Sequence, residues 1–353
     1  MRRGLLLTLL CTACLMGAAQ ADAPVLTPPE YRRGAEQTYL TFPEWFLVHS
    51  PAELADYLHN DTPATPPSGF PFMRHVGQFW SSYVRVSRAA SDVGEVNLGY
   101  HVMVLVIGLS TTVEYALKTA YEDSIGRLTE LARQAPVAED RIAAAVAQDY
   151  VDFIRVRPWY EYDFIAALRQ VWQGQPASSQ ESTLRRWERR WLLTSEYGAK
   201  AAYGWLIKIA TRTAYEPALP TTVVVLDADP GEHVAGAPDL KRMPAVGQGG
   251  NTLNSLPRYE AFMPHAQALA AAGMNFVEIA GNRGDILVSL WVPAALDSAS
   301  LQSGLQAHLL FEQPILTRPG WRRSVLALPV ARLNDGLRRW QAQQVRLEHA
   351  YDY

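Results

Sequence analysis

Two stretches of the chain repeat one another in residues that could do chemistry. Residues 112–125 read T-V-E-Y-A-L-K-T-A-Y-E-D-S-I and residues 194–207 read T-S-E-Y-G-A-K-A-A-Y-G-W-L-I, seven of fourteen positions coinciding at an offset of 82. On a helix, Glu114, Lys118 and Tyr121 fall along one stripe, and Glu196, Lys200 and Tyr203 along its counterpart. A Glu four residues before a Lys is the favourable order for a helix-supporting ion pair, so solvated pairs are the plainer reading. The chemical reading places both stripes around a shared polar pocket. There Glu could serve as acid or base, Lys as anion binder, and each tyrosine hydroxyl as a partner for buried charge. His101 joins these candidates from the start of the same helix, although a lone histidine on a helix face is more often a satisfied core residue.

Two further clusters compete for a role. Trp159, Tyr160, Glu161 and Asp163 set aromatics beside carboxylates, which suits sugar binding or glycoside hydrolysis. Against that, two acids two residues apart on a helix point away from each other, and the plainer expectation is a helix entry anchored by its aromatics. Arg185, Arg186, Trp187, Arg190 and Trp191 form a basic, tryptophan-bearing segment. It could meet a lipid headgroup layer, or an acidic layer of the same protein.

Other signatures are missing. The chain contains no H-E-x-x-H, G-x-S-x-G or P-loop pattern. Gly247-Gln248-Gly249-Gly250 sits in a glycine- and proline-rich stretch, without the strand and helix a dinucleotide fingerprint needs. The histidines, at positions 49, 59, 75, 101, 233, 265, 308 and 349, have no metal-ligand spacing. No metal or other cofactor is expected.

The elements that must position these residues fall into two parts. Residues 36–216 read as helices, with periodic stretches at 71–90, 97–133, 138–156, 159–173 and 179–215. Capping boxes at Thr41-Phe42-Pro43-Glu44, Ser50-Pro51-Ala52-Glu53 and Ser178-Ser179-Gln180-Glu181 mark expected helix starts. The segment 97–113 is the most apolar outside the N-terminus and reads as the buried central helix of a bundle, with membrane embedding as the alternative. After Pro217 the pattern changes. A strand at 222–226, a long irregular loop over 229–256, a helix at 258–272 and strands at 275–280 and 285–292 follow in order. Further strands near 308–315 and 323–329 precede a closing helix at 331–349. This predicts an α+β protein: a mainly helical domain over 22–217, then a smaller ferredoxin-like α+β sandwich over 218–353.

Composition bounds the rest. The 353 residues are 48% hydrophobic and 19% charged, with a formal net charge of −3. That excludes disordered and collagen-like chains and gives no electrostatic reason to expect nucleic acid. Charge is nonetheless uneven, with a net of −8 over 22–152 and +4 over 153–217, as two mutually packed helical layers would require. Arg2 and Arg3, an apolar run over 4–18 and the triplet Ala19-Gln20-Ala21 spell a signal peptide cleaved after Ala21. Cleavage removes Cys11 and Cys14 and leaves a cysteine-free chain, free of disulfides and thiol chemistry, in a periplasm or cell envelope. The sequence thus points to an exported, non-catalytic protein that binds a small molecule or an envelope protein. A carboxylate hydrolase and a peripheral or partly inserted membrane protein are the alternatives.

Overall fold

The computed structural model describes residues 24–34, 36–59, 66–94, 97–132, 136–173, 181–211, 219–231, 233–244 and 250–351. The signal-peptide residues, both cysteines, Ser178 to Gln180, Gly247 to Gly249 and the expected boundary at 217–218 lie outside them.

The expected helical region is present. Its first helix, α1 (Gln37–His59), runs unbroken through Pro43 and Pro51, so Thr41 and Ser50 do not start helices as their capping boxes suggested. Each proline deprives a carbonyl one turn earlier of its amide partner. Burial outweighs that loss: Leu40, Phe42 and Phe46 are all but inaccessible to water. The Thr41 hydroxyl, expected to cap a new helix, bonds back to the Gln37 carbonyl at 2.7 Å. Next come α2 (Phe72–Ser91) and α3 (Leu98–Tyr121), the latter started by the Asn97 side chain accepting from the Tyr100 amide. A π-helical turn, Glu122–Gly126, joins α3 to the short α4 (Arg127–Glu130). Helices α5 (Ala138–Ile154), α6 (Phe164–Gln173) and α7 (Thr183–Thr211) complete the region.

The segment 97–113 is not the buried central helix its hydropathy implied. On α3 only Val104, Gly108, Thr111 and Tyr115 are buried, while Leu98, Val106, Leu109, Val113 and Leu117 are each more than half exposed. Hydropathy measures how apolar a segment is, not what covers it.

The α+β layout follows, as two four-stranded antiparallel sheets after the helical region. In the first sheet, β1 (Thr221–Leu226), β2 (Lys241–Arg242), β3 (Thr252–Pro257) and β4 (Phe276–Ile279) stand in the order β2-β3-β1-β4. In the second, β5 (Asp285–Pro293), β6 (His308–Pro314), β7 (Trp321–Pro329) and β8 (Arg346–Ala350) stand in the order β6-β7-β5-β8. Both sheets thus place their fourth strand beside their first. Helices α8 (Phe262–Ala271), α9 (Ser298–Gln302) and α10 (Leu333–Ala342) connect the strands.

Two expectations fail here. The expected loop 229–256 contains β2 and most of β3; Asn254 and Ser255 carry little strand propensity, but β3 pairs with β1 from Thr221↔Pro257 to Leu226↔Thr252. The expected closing helix ends at Ala342, Gln344 turns the chain at φ +60°, and Arg346–Ala350 pairs with β5. Edge pairing there overrides the helix preference of Arg, Leu, Glu and Ala.

Side-chain alternation along β5 fixes the layering. Ile286, Val288, Leu290 and Val292 enter a core shared with β1, β4, α8 and α10. Leu287, with Phe311, Val325, Ala327 and Tyr351, meets Tyr39, Phe42 and Trp45 of α1 and Val86 of α2. The second sheet is therefore covered on both faces. Thr38 pins α1 to it, donating to the Tyr351 carbonyl at 2.8 Å and accepting from the Leu287 amide at 2.9 Å.

Candidate functional site

Helices α3 and α7 pass each other in opposite directions, and their repeated stripes meet. Lys118 Nζ lies 3.2 Å from Glu114 Oε1 and 2.9 Å from Glu196 Oε1. Lys200 Nζ lies 3.0 Å from Glu114 Oε1 and 2.9 Å from Glu196 Oε1. Each lysine bridges both glutamates, so two i,i+4 pairs close into one four-membered cluster of balanced charge.

The quartet lines a cavity of about 140 Å³ whose walls include Phe46, Phe72, Tyr115, Tyr150, Phe164 and Tyr197. That is close to the ~150 Å³ of engineered cavities that admit a benzene-sized ligand. The lysines sit against aromatic faces, Lys118 at 5.8 Å from the Phe72 ring centre and Lys200 at 5.6 Å from that of Tyr150. The cleft opens at Glu114, whose side chain is 39% exposed, while those of Glu196, Lys118 and Lys200 are 17–23% exposed.

Electrostatics fix the charge states. Burial disfavours ionisation of Glu114 and Glu196, but the two ammonium groups outweigh it and hold both carboxyls below the usual range. Burial likewise opposes the charge on Lys200, and the two carboxylates overcome it. Tyr150 is pushed up to about 12, mainly by burial.

The remaining expected site residues separate. Tyr121 borders the cavity, but its hydroxyl donates to Glu188 at 2.8 Å and its ring stacks on Trp191. Tyr203, its counterpart in the repeat, turns outward and stacks on Trp159. His101 is away from the quartet and pairs through Nδ1 with the Tyr83 hydroxyl at 2.9 Å.

The aromatic–acid cluster is a helix entry. Trp159, Tyr160 and Glu161 form a single 3-10 turn, and Asp163 accepts from the Ala166 amide at 2.9 Å to start α6. Glu161 and Asp163 are both exposed.

The arginines of α7 turn inward, onto acidic residues of the same protein. Arg185 is fully buried and donates to Gly126 O, Thr129 Oγ1 and Glu188, each at 3.0 Å. Arg186 and Arg190 meet Glu139 at 3.1 and 2.7 Å. Arg189, absent from the expected set, meets Glu122 at 2.6 Å and Asp140 at 3.1 Å. The π-helical turn carries Glu122 into this contact. The basic middle of the chain thus neutralises its acidic front, and only Trp187 and Trp191 of this segment are left largely exposed.

A second polar cluster was not expected at all. Arg323 of β7 donates to Glu348 of β8 at 2.6 and 2.7 Å and to Glu53 of α1 at 2.9 Å. His49 contacts Tyr351 at 3.1 Å, and Tyr351 donates to Ser289 at 3.1 Å. Glu53 Oε2 faces His75 Nε2 across 3.7 Å, and both atoms are buried without a hydrogen-bond partner. On its other side His75 Nδ1 meets Ser50 Oγ at 3.1 Å, and Ser50 meets the Tyr115 hydroxyl at 2.7 Å. The cluster therefore reaches the wall of the cavity. Burial raises the Glu53 carboxyl despite Arg323, and lowers His49 to about 4 and His75 to about 3.

Comparison with protein-family models, curated proteins and solved structures returns no match. Function must be argued from the site alone. Among the described residues, no group of three or more His, Cys, Asp or Glu side chains is arranged to hold a metal ion. What the cavity offers is a closed set of two cations and two anions at the edge of an aromatic box.

Proposed function

We propose that the protein is an exported, non-catalytic envelope protein that binds a small dipolar molecule in the cavity between α3 and α7. The quartet carries this reading. Alternating ammonium and carboxylate groups at one mouth can pair with a ligand bearing both charges, while the aromatic walls take its apolar part. Export rests on the N-terminal pattern ending at Ala21.

Acid/base hydrolysis is the weaker reading. A pair of catalytic carboxyls needs one member protonated near neutral pH, and the lysines keep both Glu114 and Glu196 ionised. Thermal-shift titration with amino acids and trimethylammonium carboxylates tests the proposal. The unfolding midpoint of the wild type is expected to rise with a member of this class, and that of Lys118→Ala/Lys200→Ala to stay unmoved. Equal shifts in both proteins would remove the site.

A further inference from the structure

Helix α3 has two faces of opposite character. One buries Val104, Gly108, Thr111 and Tyr115. The other exposes Leu98, Val102, Leu105, Leu109, Val113 and Leu117, spaced by three or four residues along the helix. At 1.5 Å per residue this stripe is roughly 29 Å long. Surface helices of soluble proteins normally turn charged and polar residues outward. Between residues 102 and 117, Ser110 is exposed, and the one charged side chain, Glu114, is 39% exposed and paired with Lys118 and Lys200.

The usual origins of such a helix do not apply. Among the described residues, Leu98–Glu130 is the one helix long and apolar enough to cross a membrane by length and composition, and 22% of its most apolar window is buried. The core helix of a soluble protein would be mostly buried, and a secretion signal would lie at the N-terminus. Leu128 and Leu131 are exposed too, beyond the π-helical turn and the exposed Asp123–Arg127 ion pair, and the exposed indole of Trp191 stacks on Tyr121 at the end of α3.

We propose that this face docks on a lipid bilayer. Acyl chains require no hydrogen bonds of the surface they cover, whereas a protein interface carries about one per 100–200 Å²; a stripe of six exposed aliphatic side chains suits the former. Tryptophan at its end matches the headgroup boundary. The helix lies along the membrane surface rather than through it, because its opposite face is tied into the protein. Trp80 Nε1 donates to Thr112 at 3.0 Å, Ser50 meets Tyr115, and Lys118 joins the quartet with α7. Crossing the bilayer would carry α1, α2 and α7 into hydrocarbon with it.

The test is flotation of the full mature chain with vesicles of phosphatidylcholine alone and of phosphatidylcholine mixed with phosphatidylglycerol. The comparison protein is Leu105→Glu/Leu109→Glu, whose changes lie on the exposed face and whose fold is checked by its thermal midpoint and far-UV dichroism. The wild type is expected to bind both vesicle types with a blue shift of tryptophan emission. The variant should partition roughly tenfold or more weakly, the loss expected for two interfacial leucines. Equal binding by the variant, or no binding by the wild type, would overturn the proposal. Binding confined to anionic vesicles and abolished by salt would assign it to basic residues instead. A lipid-free dimer dissolved by the same substitutions would replace the bilayer with a second copy of the chain. Leu105→Glu/Leu109→Glu should keep the thermal shift of the wild type with amino acids and trimethylammonium carboxylates, which keeps failure of the cavity reading distinct from failure of this one.

Discussion

Tyr115 separates two clusters of opposite charges that resemble each other in content and differ in access to water. On one side Glu114, Lys118, Glu196 and Lys200 meet at a cleft, built from two ordinary i,i+4 helix pairs. On the other, Arg323, Glu348 and Glu53 are sealed between α1, α2 and the second sheet, with His49 and His75 beside them. In the sealed cluster every charge depends on its partner, because water cannot replace a lost one. In the open cluster water or a ligand can. The sealed arrangement joins the layers of the fold, and the open one leaves its charges within reach of solvent.

Four perturbations should separate the two. Arg323→Met strands the Glu348 carboxylate among buried groups and should lower stability by about 3–5 kcal/mol in urea denaturation. A loss near zero would mean that water reaches the cluster.

Acid should act on the sealed cluster next. His49 and His75 have native pKa values of about 4 and about 3, below their ordinary value of 6.5. Below that ordinary value the unfolded chain takes up protons that the native protein refuses. Stability should therefore fall as pH drops from 6.5 towards 4, by up to about 1.4 kcal/mol per unit for each histidine. Below about 3 their contribution no longer changes. His75→Gln should flatten the slope of stability against pH by about one proton; an unchanged slope would contradict a buried neutral ring.

In the open cluster, Lys200→Met leaves two glutamates sharing Lys118 and should cost roughly 1–2 kcal/mol. Replacing all four charges in Glu114→Gln/Lys118→Met/Glu196→Gln/Lys200→Met should cost less than the single change, because no charge is left over. The reverse ranking would show that the quartet holds α3 to α7. The smallest effect falls on the link between the clusters. Ser50→Ala removes the hydroxyl between His75 and Tyr115 and should cost about 1 kcal/mol, while leaving the pH slope of the wild type in place.

The residues of the quartet were legible because their spacing repeats within each helix and the offset of 82 named both halves, but two separate solvated pairs were the plainer expectation, since nothing in either helix alone says that they meet. The arginine segment was legible in its plainer form, since the charge imbalance between 22–152 and 153–217 already asked for an acidic partner. The sealed cluster was not, because its members are 270 and 25 residues apart and Glu348 falls in a segment whose composition favours helix. The strands β3 and β8 were missed for a related reason: their pairing, not their own propensity, makes them strands. The prolines of α1 misled in the opposite direction, local signals for helix starts being overruled by burial of the whole helix. On α3, hydropathy located an apolar segment without saying whether protein covers it.

Occupancy of the cavity is tested most directly by mass spectrometry of the chain purified from the cells that make it, first native and then denatured. The account predicts a small added mass on the native wild type that disappears on denaturation and is absent from Lys118→Ala/Lys200→Ala. A bare native wild type, or the same added mass on the double variant, would contradict it.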